Sequence, residues 1–160
     1  MRGKFKIKNY TSTTPVGRSI ADIEELLAQA GATTVVKQYG DNGHGVNVVT
    51  GFTFTIDDNG HTAMFRLPAN TAEYAAAMLS EKKRPRTGTA GKVSEQAERT
   101  AWRVLKVWVE IQLTLIRVHR IHPFQVFMGY LYDPRKNETF FQIAQREGFA
   151  RLLTAGNSSK

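Results

Sequence analysis

The sequence contains no cysteine among its 160 residues. Disulfide bonds, thiol catalysis and cysteine-based metal sites are therefore excluded. It also lacks a run of about 18 uncharged apolar residues, the length that a membrane helix needs. The first residues, MRGKFKIKNY, alternate charged and apolar side chains. We therefore expect neither a signal peptide nor a membrane span, and we expect a cytoplasmic location.

The sequence also lacks a recognisable catalytic or metal-binding constellation. The segment Gly40–Gly45, GDNGHG, has no Lys-Ser/Thr ending and no strand-to-helix context, so it does not predict a phosphate-binding loop. The candidate acid, base or metal-ligand pairs are Glu24 and Glu25, Asp57 and Asp58, and His119 and His122. The carboxylates are typical of a solvated helix face and a turn, and the histidines have no third ligand at a recognisable spacing. We predict no enzymatic activity, no metal site and no cofactor.

Positive charge is concentrated in one quarter of the chain. The net charge is +8, and residues 82–120 carry ten Lys or Arg against three Asp or Glu, a local net charge of +7. Such a segment favours a polyanionic partner, because basic side chains release the counterions of nucleic acids. The alternative is that a basic linker and a solvated helix face only keep the protein soluble.

The chain is predicted to have an α+β fold with a small antiparallel sheet. Residues 1–83 read as a β-α-β-β-β-α unit, and residues 84–93 read as a basic linker. Residues 94–154 are expected to form a long helix and a short aromatic and helical tail that packs on or beside the first unit. Residues 155–160 should fray.

Local patterns set the expected ends of several elements. The first strand is expected to include Lys4–Lys8, where lysines alternate with apolar residues. Ser19 and Asn70 are expected to cap two helices, and Gly31 should end the first of them in the left-handed conformation. The Asp-Asp-Asn-Gly sequence at 57–60 predicts a tight hairpin turn.

Ser94–Arg120 is the longest helical pattern in the sequence. Apolar residues recur at spacings of three and four on two faces, so we expect the helix to be sandwiched or shared with a partner chain. A two-fold pairing through Trp102 and Trp108 is one possible arrangement. Only one stripe remains polar, and it contains Arg99, Arg103 and Lys106.

These cations, together with those of the linker, form the predicted nucleic-acid-binding set. The set is Lys82, Lys83, Arg84, Arg86, Lys92, Arg99, Arg103, Lys106, Arg117 and Arg120. A basic helix stripe beside a basic loop suits phosphate contact that does not depend on base sequence. Tyr39 and the aromatics of 124–132 could stack on bases, although so dense an aromatic segment is more typical of a protein core.

Several segments together resemble a family of small uncharacterised proteins encoded by tailed bacteriophages and prophages. The resemblance rests on Lys8–Val16, Ser19–Leu27, Gly31, Ala32, Phe65–Asn70 and Ala97–Leu113, and more loosely on Phe127, Tyr130, Gly148, Phe149 and Leu153. It implies a phage-encoded protein built around a central helix. It implies no activity and no functional residue.

The leading hypothesis is a non-enzymatic phage accessory protein that binds DNA or RNA in replication, recombination or packaging. One alternative is a phage inhibitor that binds a host factor, such as a defence nuclease. Another is an oligomeric sponge for an anionic nucleotide, in which Arg99 and Arg103 would clamp phosphate. The sequence leaves these alternatives open, as it does the possibility of a homo-oligomer formed through the central helix.

Overall fold

The computed structural model describes residues 6–42, 45–81 and 88–149, which form an α+β fold. The elements are α1 (Val16–Gln29), β1 (Ala32–Asp41), β2 (Asn47–Asp58), β3 (His61–Pro68), α2 (Thr71–Ser80), α3 (Thr89–His119), α4 (Pro123–Phe127), a 3-10 turn (Met128–Tyr130), β4 (Tyr132–Asp133), β5 (Glu138–Thr139) and α5 (Phe140–Glu147). The predicted fold class is confirmed. The predicted first strand is wrong for Lys6–Lys8, since these residues belong to no strand.

The main sheet is antiparallel, with strand order β1-β2-β3. Phe54 on the central strand pairs with Val35 on one side and Phe65 on the other. Because strand side chains alternate between faces, this register puts the apolar residues on one inner face. The outer face carries Arg66, which lies between the buried Phe65 and Leu67.

Glycine is required at two points of the β2–β3 hairpin. Asn59 and Gly60 both have positive φ, at 49° and 83°, and so form the predicted tight turn. A Cβ on Gly51 would lie 2.5 Å from the main-chain oxygen of Leu67, so only glycine permits this approach of the strands. Gly51 also adjoins a register shift against β1, since Gln38 pairs with Gly51 and the next residue, Tyr39, pairs with Val49.

The first helix begins earlier than predicted. Pro15 occupies the N-cap position of α1, and Ser19 lies inside the helix with no exposed surface. The predicted Ser19 cap is therefore wrong. Within the same helix, Asp22 pairs with Arg18 at 3.2 Å. The predicted end is confirmed, because Gly31 follows the last turn with φ of +90°.

The second helix begins where the sequence predicts but without the predicted cap. Asn70 precedes α2 in the left-handed conformation, with φ of 53°, and its side chain makes no capping hydrogen bond. A capping residue normally has extended backbone, which lets its side chain accept a hydrogen bond from a main-chain N–H of the first turn. The left-handed backbone of Asn70 does not meet this condition.

The long helix α3 begins at Thr89, inside the predicted linker of residues 84–93. Its first three turns pack against α2 through a small apolar cluster that includes Val93, Ala97 and Met78. Thr100 Oγ1 donates to the main-chain oxygen of Asn9 at 3.2 Å, and Gln96 Nε2 donates to that of Tyr10 at 2.7 Å. The residues that precede α1 are thus held to α3 by side-chain hydrogen bonds.

From Trp102 onward, α3 contributes to the main core, which also contains residues of α1 and of the sheet. Trp102 contacts Phe52 edge to face at 5.8 Å between ring centroids. Phe127 of α4 is fully buried and lies 5.3 Å from Phe54 and 5.8 Å from Trp108. This core joins residues of the first α+β unit to residues of the long helix and the aromatic segment.

The chain after α3 returns along β3. His122 Nδ1 accepts a hydrogen bond from the main-chain N–H of Phe124 and so caps α4. Leu131 then forms an isolated bridge with Phe65 at the free edge of the sheet. A capping box of Thr139 and Gln142 starts α5. No helix within the described parts of the chain is long and apolar enough to cross a membrane.

Candidate nucleic-acid interface

The predicted binding cations divide into those inside and those outside the described residues. Lys82, Lys83, Arg84 and Arg86 lie outside. The remaining six are on α3 or immediately after it. Lys92, Arg117 and Arg120 are exposed, and Arg99 and Arg103 are half-buried. We refer to Lys92, Arg99 and Arg103 as the upper cations and to Arg117 and Arg120 as the lower cations.

Helix periodicity brings the upper cations to one side of α3. Arg99 and Arg103 are four residues apart, which is about one turn and about 6 Å along the axis. Lys92 lies about 10 Å before Arg99 on the same side. The three cations can therefore face a single extended polyanion.

Four arginines of the predicted set lie within the described residues, and none of these four forms an ion pair with a described carboxylate. Arg99 Nη2 donates to the neutral Gln96 Oε1 at 3.0 Å. Arg103 makes no hydrogen bond or ion pair within the described part of the chain. These guanidinium groups therefore keep their positive charge uncompensated by a neighbouring carboxylate.

Several cations elsewhere in the protein, by contrast, pair with carboxylates of the same chain. Arg146 Nη2 lies 3.2 Å from a carboxylate oxygen of Glu138. Lys37 Nζ lies 3.0 Å from Glu24 Oε2, and this hydrogen bond raises the pKa of Lys37. The contrast matters because a paired cation must give up its own carboxylate before it can bind a phosphate at full strength.

Lys106 differs from the other predicted cations. It donates to Glu110 one turn later on α3, and only 13% of its side chain is exposed. It also lines a depression with Asp22 and Glu25 of α1. The predicted stripe is therefore interrupted at its centre, because Glu110 pairs with this lysine and two acidic residues of α1 line the same depression.

The interruption separates two groups of cations. About 21 Å of helix lies between Arg103 and Arg117. Sequence periodicity correctly assigns Lys106 to the polar stripe, but it does not indicate that α1 packs beside this part of the stripe. The upper cations are therefore the compact part of the candidate interface.

The aromatic residues with a predicted stacking role have different environments. Tyr39 on β1 is 61% exposed and remains a candidate platform. Phe127 is fully buried, while Tyr130 packs against Trp108 at 5.3 Å. Most of the aromatic segment therefore contributes to packing, as its density predicts.

Trp102 cannot take part in the two-fold pairing considered from the sequence. Only 1% of its surface is exposed, because it packs inside the core of the same chain. The C-terminal half of α3 does leave Ile111 and Val118 exposed, at 48% and 67%. A homo-oligomer through the central helix stays a prediction, and Ile111 and Val118 rather than Trp102 are exposed for such a contact.

His119 and His122 are candidate metal ligands in the sequence, where they lack a third ligand at a recognisable spacing. No group of three or more His, Asp or Glu residues that could hold a metal ion occurs within residues 6–42, 45–81 and 88–149. His122 Nε2 instead lies 3.1 Å from Asp58 Oδ2. Its Nδ1 accepts from a main-chain N–H, so a neutral ring would carry its proton on Nε2.

Comparisons with protein-family models, with curated proteins and with solved structures found no match to this chain.

Proposed function

We propose that this protein is a non-enzymatic phage accessory protein that binds nucleic acid largely independently of base sequence. The upper cations on α3, together with Lys82, Lys83, Arg84 and Arg86, would contact backbone phosphates. The resemblance to small phage proteins supports action in the cytoplasm of the host cell, in replication, recombination or packaging. Either DNA or RNA offers the phosphates that this arrangement requires.

The observation that carries the proposal is the lack of carboxylate partners at Arg99 and Arg103. These two arginines lie one turn apart on a rigid helix, whereas Lys37 and Arg146 are paired within the chain. A polyanion would supply the missing negative charge and release its own counterions. Because the contacts go to phosphates, the proposal expects little discrimination between base sequences.

The test is a salt titration of binding to single- and double-stranded DNA and RNA with the R99Q/R103Q variant. If each arginine neutralises one phosphate, the slope of log K against log salt should become shallower by about 1.8 for duplex DNA and about 1.4 for single strands. The matched control is R18Q/R146Q, which removes the same charge from two arginines already paired with Asp22 and Glu138. In the control variant, the slope of log K against log salt should stay close to that of the unaltered protein.

Two results would contradict the proposal. One is an absence of binding by the unaltered protein at low salt. The other is a slope and affinity that are the same for R99Q/R103Q and the unaltered protein. An equal loss in both double variants would point to net charge alone rather than to the upper cations.

A second candidate function is an inhibitor that binds a host protein. Its support is a set of exposed phenylalanines near α5, since Phe140, Phe141 and Phe149 are each more than one third exposed. The rings of Phe141 and Phe149 lie together, with 5.8 Å between centroids, and exposed aromatic pairs of this kind are typical of protein contact surfaces. A host protein captured by the unaltered chain but not by the F141S/F149S variant would favour this function over nucleic-acid binding.

A further inference from the structure

We infer that the pocket beside Arg66 binds a small organic oxyanion, that is, a carboxylate or phosphate group carried on an apolar or aromatic body. The pocket has a volume of about 500 Å³, which is in the range of small-molecule sites. It lies on the outer side of the sheet, whereas α1 and α3 pack on the inner side. The inference is therefore independent of the α3 cations and of the proposed function.

Arg66 supplies the positive charge of this pocket. Its Nη1 donates to Asn137 Oδ1 at 3.0 Å, and its Nη2 donates to the Tyr132 hydroxyl at 2.7 Å. When the Gln38 side-chain amide is oriented with its oxygen toward Arg66, that oxygen accepts from Arg66 Nε at 3.0 Å and from the Thr53 hydroxyl at 2.8 Å. The guanidinium additionally lies over the Tyr132 ring, 3.8 Å from the centroid.

All of these partners are uncharged. No carboxylate forms an ion pair with Arg66 anywhere in the described residues. The partners fix the orientation of the half-buried guanidinium but leave its charge uncompensated. One of the two Nη1 hydrogens also has no acceptor within the described part of the chain.

The neighbouring amides present hydrogen-bond donors. Asn137 Oδ1 already accepts from both Arg66 and Tyr132, at 3.0 and 2.8 Å. Gln142 Oε1 accepts from the main-chain N–H of Thr139 at 2.8 Å and from its hydroxyl at 3.2 Å. With both amide oxygens occupied, the Asn137 and Gln142 NH2 groups are left as donors on the lining of the pocket.

The other residues that line the pocket indicate what kind of molecule would carry the oxyanion. Pro68, Tyr130 and Phe141 provide apolar and aromatic surface beside the donors. A cation and two amide donors select a negatively charged oxygen group, while the rings favour a flat or apolar body attached to it. Benzoate and a nucleoside monophosphate both fit this description.

The experiment is a titration of the uniformly 15N-labelled protein with benzoate, 5′-AMP or inorganic phosphate, followed by NMR. We expect benzoate, AMP or both to shift the Arg66 Nε–H signal and the side-chain NH2 signals of Asn137 and Gln142. Shifts with benzoate alone identify a carboxylate ligand, and shifts with AMP alone identify a phosphate ligand. An absence of shifts with both benzoate and AMP at 10 mM overturns the inference, whether or not inorganic phosphate causes shifts.

The variant N137D separates ligand binding from a merely structural role. The new carboxylate can keep the bonds to Arg66 and Tyr132 but neutralises the guanidinium and removes the free NH2 group. We expect about tenfold weaker binding or more, with a melting temperature equal to or above that of the unaltered protein. Unchanged affinity in N137D overturns the inference.

The matched control is N59D. Asn59 and Asn137 are both exposed turn residues with left-handed backbone, at φ of 49° and 54°, and both substitutions add one negative charge. N59D should bind the probe within about twofold of the unaltered protein. If N137D does not fold, R66K provides the second test. Lysine keeps the charge but loses the guanidinium fork, so probe binding should again fall by about tenfold, and unchanged binding overturns the inference.

Discussion

Up to Ala101, α3 packs through small side chains and two polar ones against α2 and the residues before α1. From Trp102 onward, the same helix packs through large aromatic side chains against the sheet, α1 and α4. Val93 and Ala97 occupy the first contact, whereas Trp102, Trp108 and Val109 occupy the second. One continuous helix therefore stabilises two contacts by different means. The contact from Trp102 onward depends on buried apolar volume, whereas the contact before it adds hydrogen bonds to the peptide segment that precedes α1.

The same division applies to charge. Arg99 and Arg103 have no carboxylate partner among the described residues, whereas Lys106, one turn further on, is paired with Glu110. The change occurs where α1 brings Asp22 and Glu25 beside α3. Packing against a second helix therefore decides which cations of one stripe are available to a partner.

The largest expected effect tests the difference in packing. W102A should lower the free energy of unfolding by about 3–5 kcal/mol, because it removes a fully buried indole and leaves a cavity against Phe52. V93A should cost about 1 kcal/mol, since a smaller volume is lost and alanine is the better helix former. Urea denaturation monitored by circular dichroism measures both values. Equal costs would remove the proposed distinction between the two contacts.

The next effect tests the hydrogen bonds of the first contact. T100V keeps the side-chain shape but removes the bond to the main-chain oxygen of Asn9, and we expect a loss of about 1–3 kcal/mol. The matched control is T114V on the same helix, where the exposed Thr114 hydroxyl bonds only to the oxygen of Glu110 one turn earlier. This control should change stability by less than about 0.5 kcal/mol. Similar losses in the two variants would show that the Asn9 bond has no special role.

The smallest effect on stability tests the difference in charge. E110Q breaks the pair with Lys106, and we expect a change of less than about 1 kcal/mol because Glu110 is 42% exposed. If the proposed function holds, the released Lys106 should gain a phosphate contact and steepen the salt slope by up to about 0.9. The control E98Q removes the same charge about 120° around the helix. Equal steepening in both variants would show that only net charge matters.

Much of the fold follows from local sequence patterns. The positive φ that Asn59 and Gly60 tolerate predicts the hairpin, and Gly31 predicts the end of α1. The apolar periodicity of α3 predicts the long helix but not its first residues. Thr89–Val93 contain a threonine, a glycine and a lysine, which are typical of a linker. The Ser19 cap is wrong because the helix begins one turn earlier, at Val16, and buries Ser19 in the protein. Local sequence does not indicate this burial.

The candidate sites are less accessible to sequence reasoning. Charge and periodicity identify Arg99 and Arg103, but they give no sign that Lys106 lies beside the carboxylates of α1. Arg66 and Asn137 are 71 residues apart in the sequence and meet only because β4 and β5 fold back along β3. The strand pattern could have identified Arg66. It lies between the apolar residues Phe65 and Leu67, and because strand side chains alternate between faces, it belongs to the outer face.

The sequence by itself determined the α+β class, the hairpin turn, the long helix and the concentration of positive charge. Each of these depends on residues close together in the chain, through backbone conformation, side-chain alternation and helical period. Only the tertiary structure decided which cations are neutralised and which polar groups gather around Arg66. The physical reason is that ion pairs, burial and pocket shape arise from contacts between distant segments, which the packing of α1, the sheet and the C-terminal hairpin brings within bonding distance.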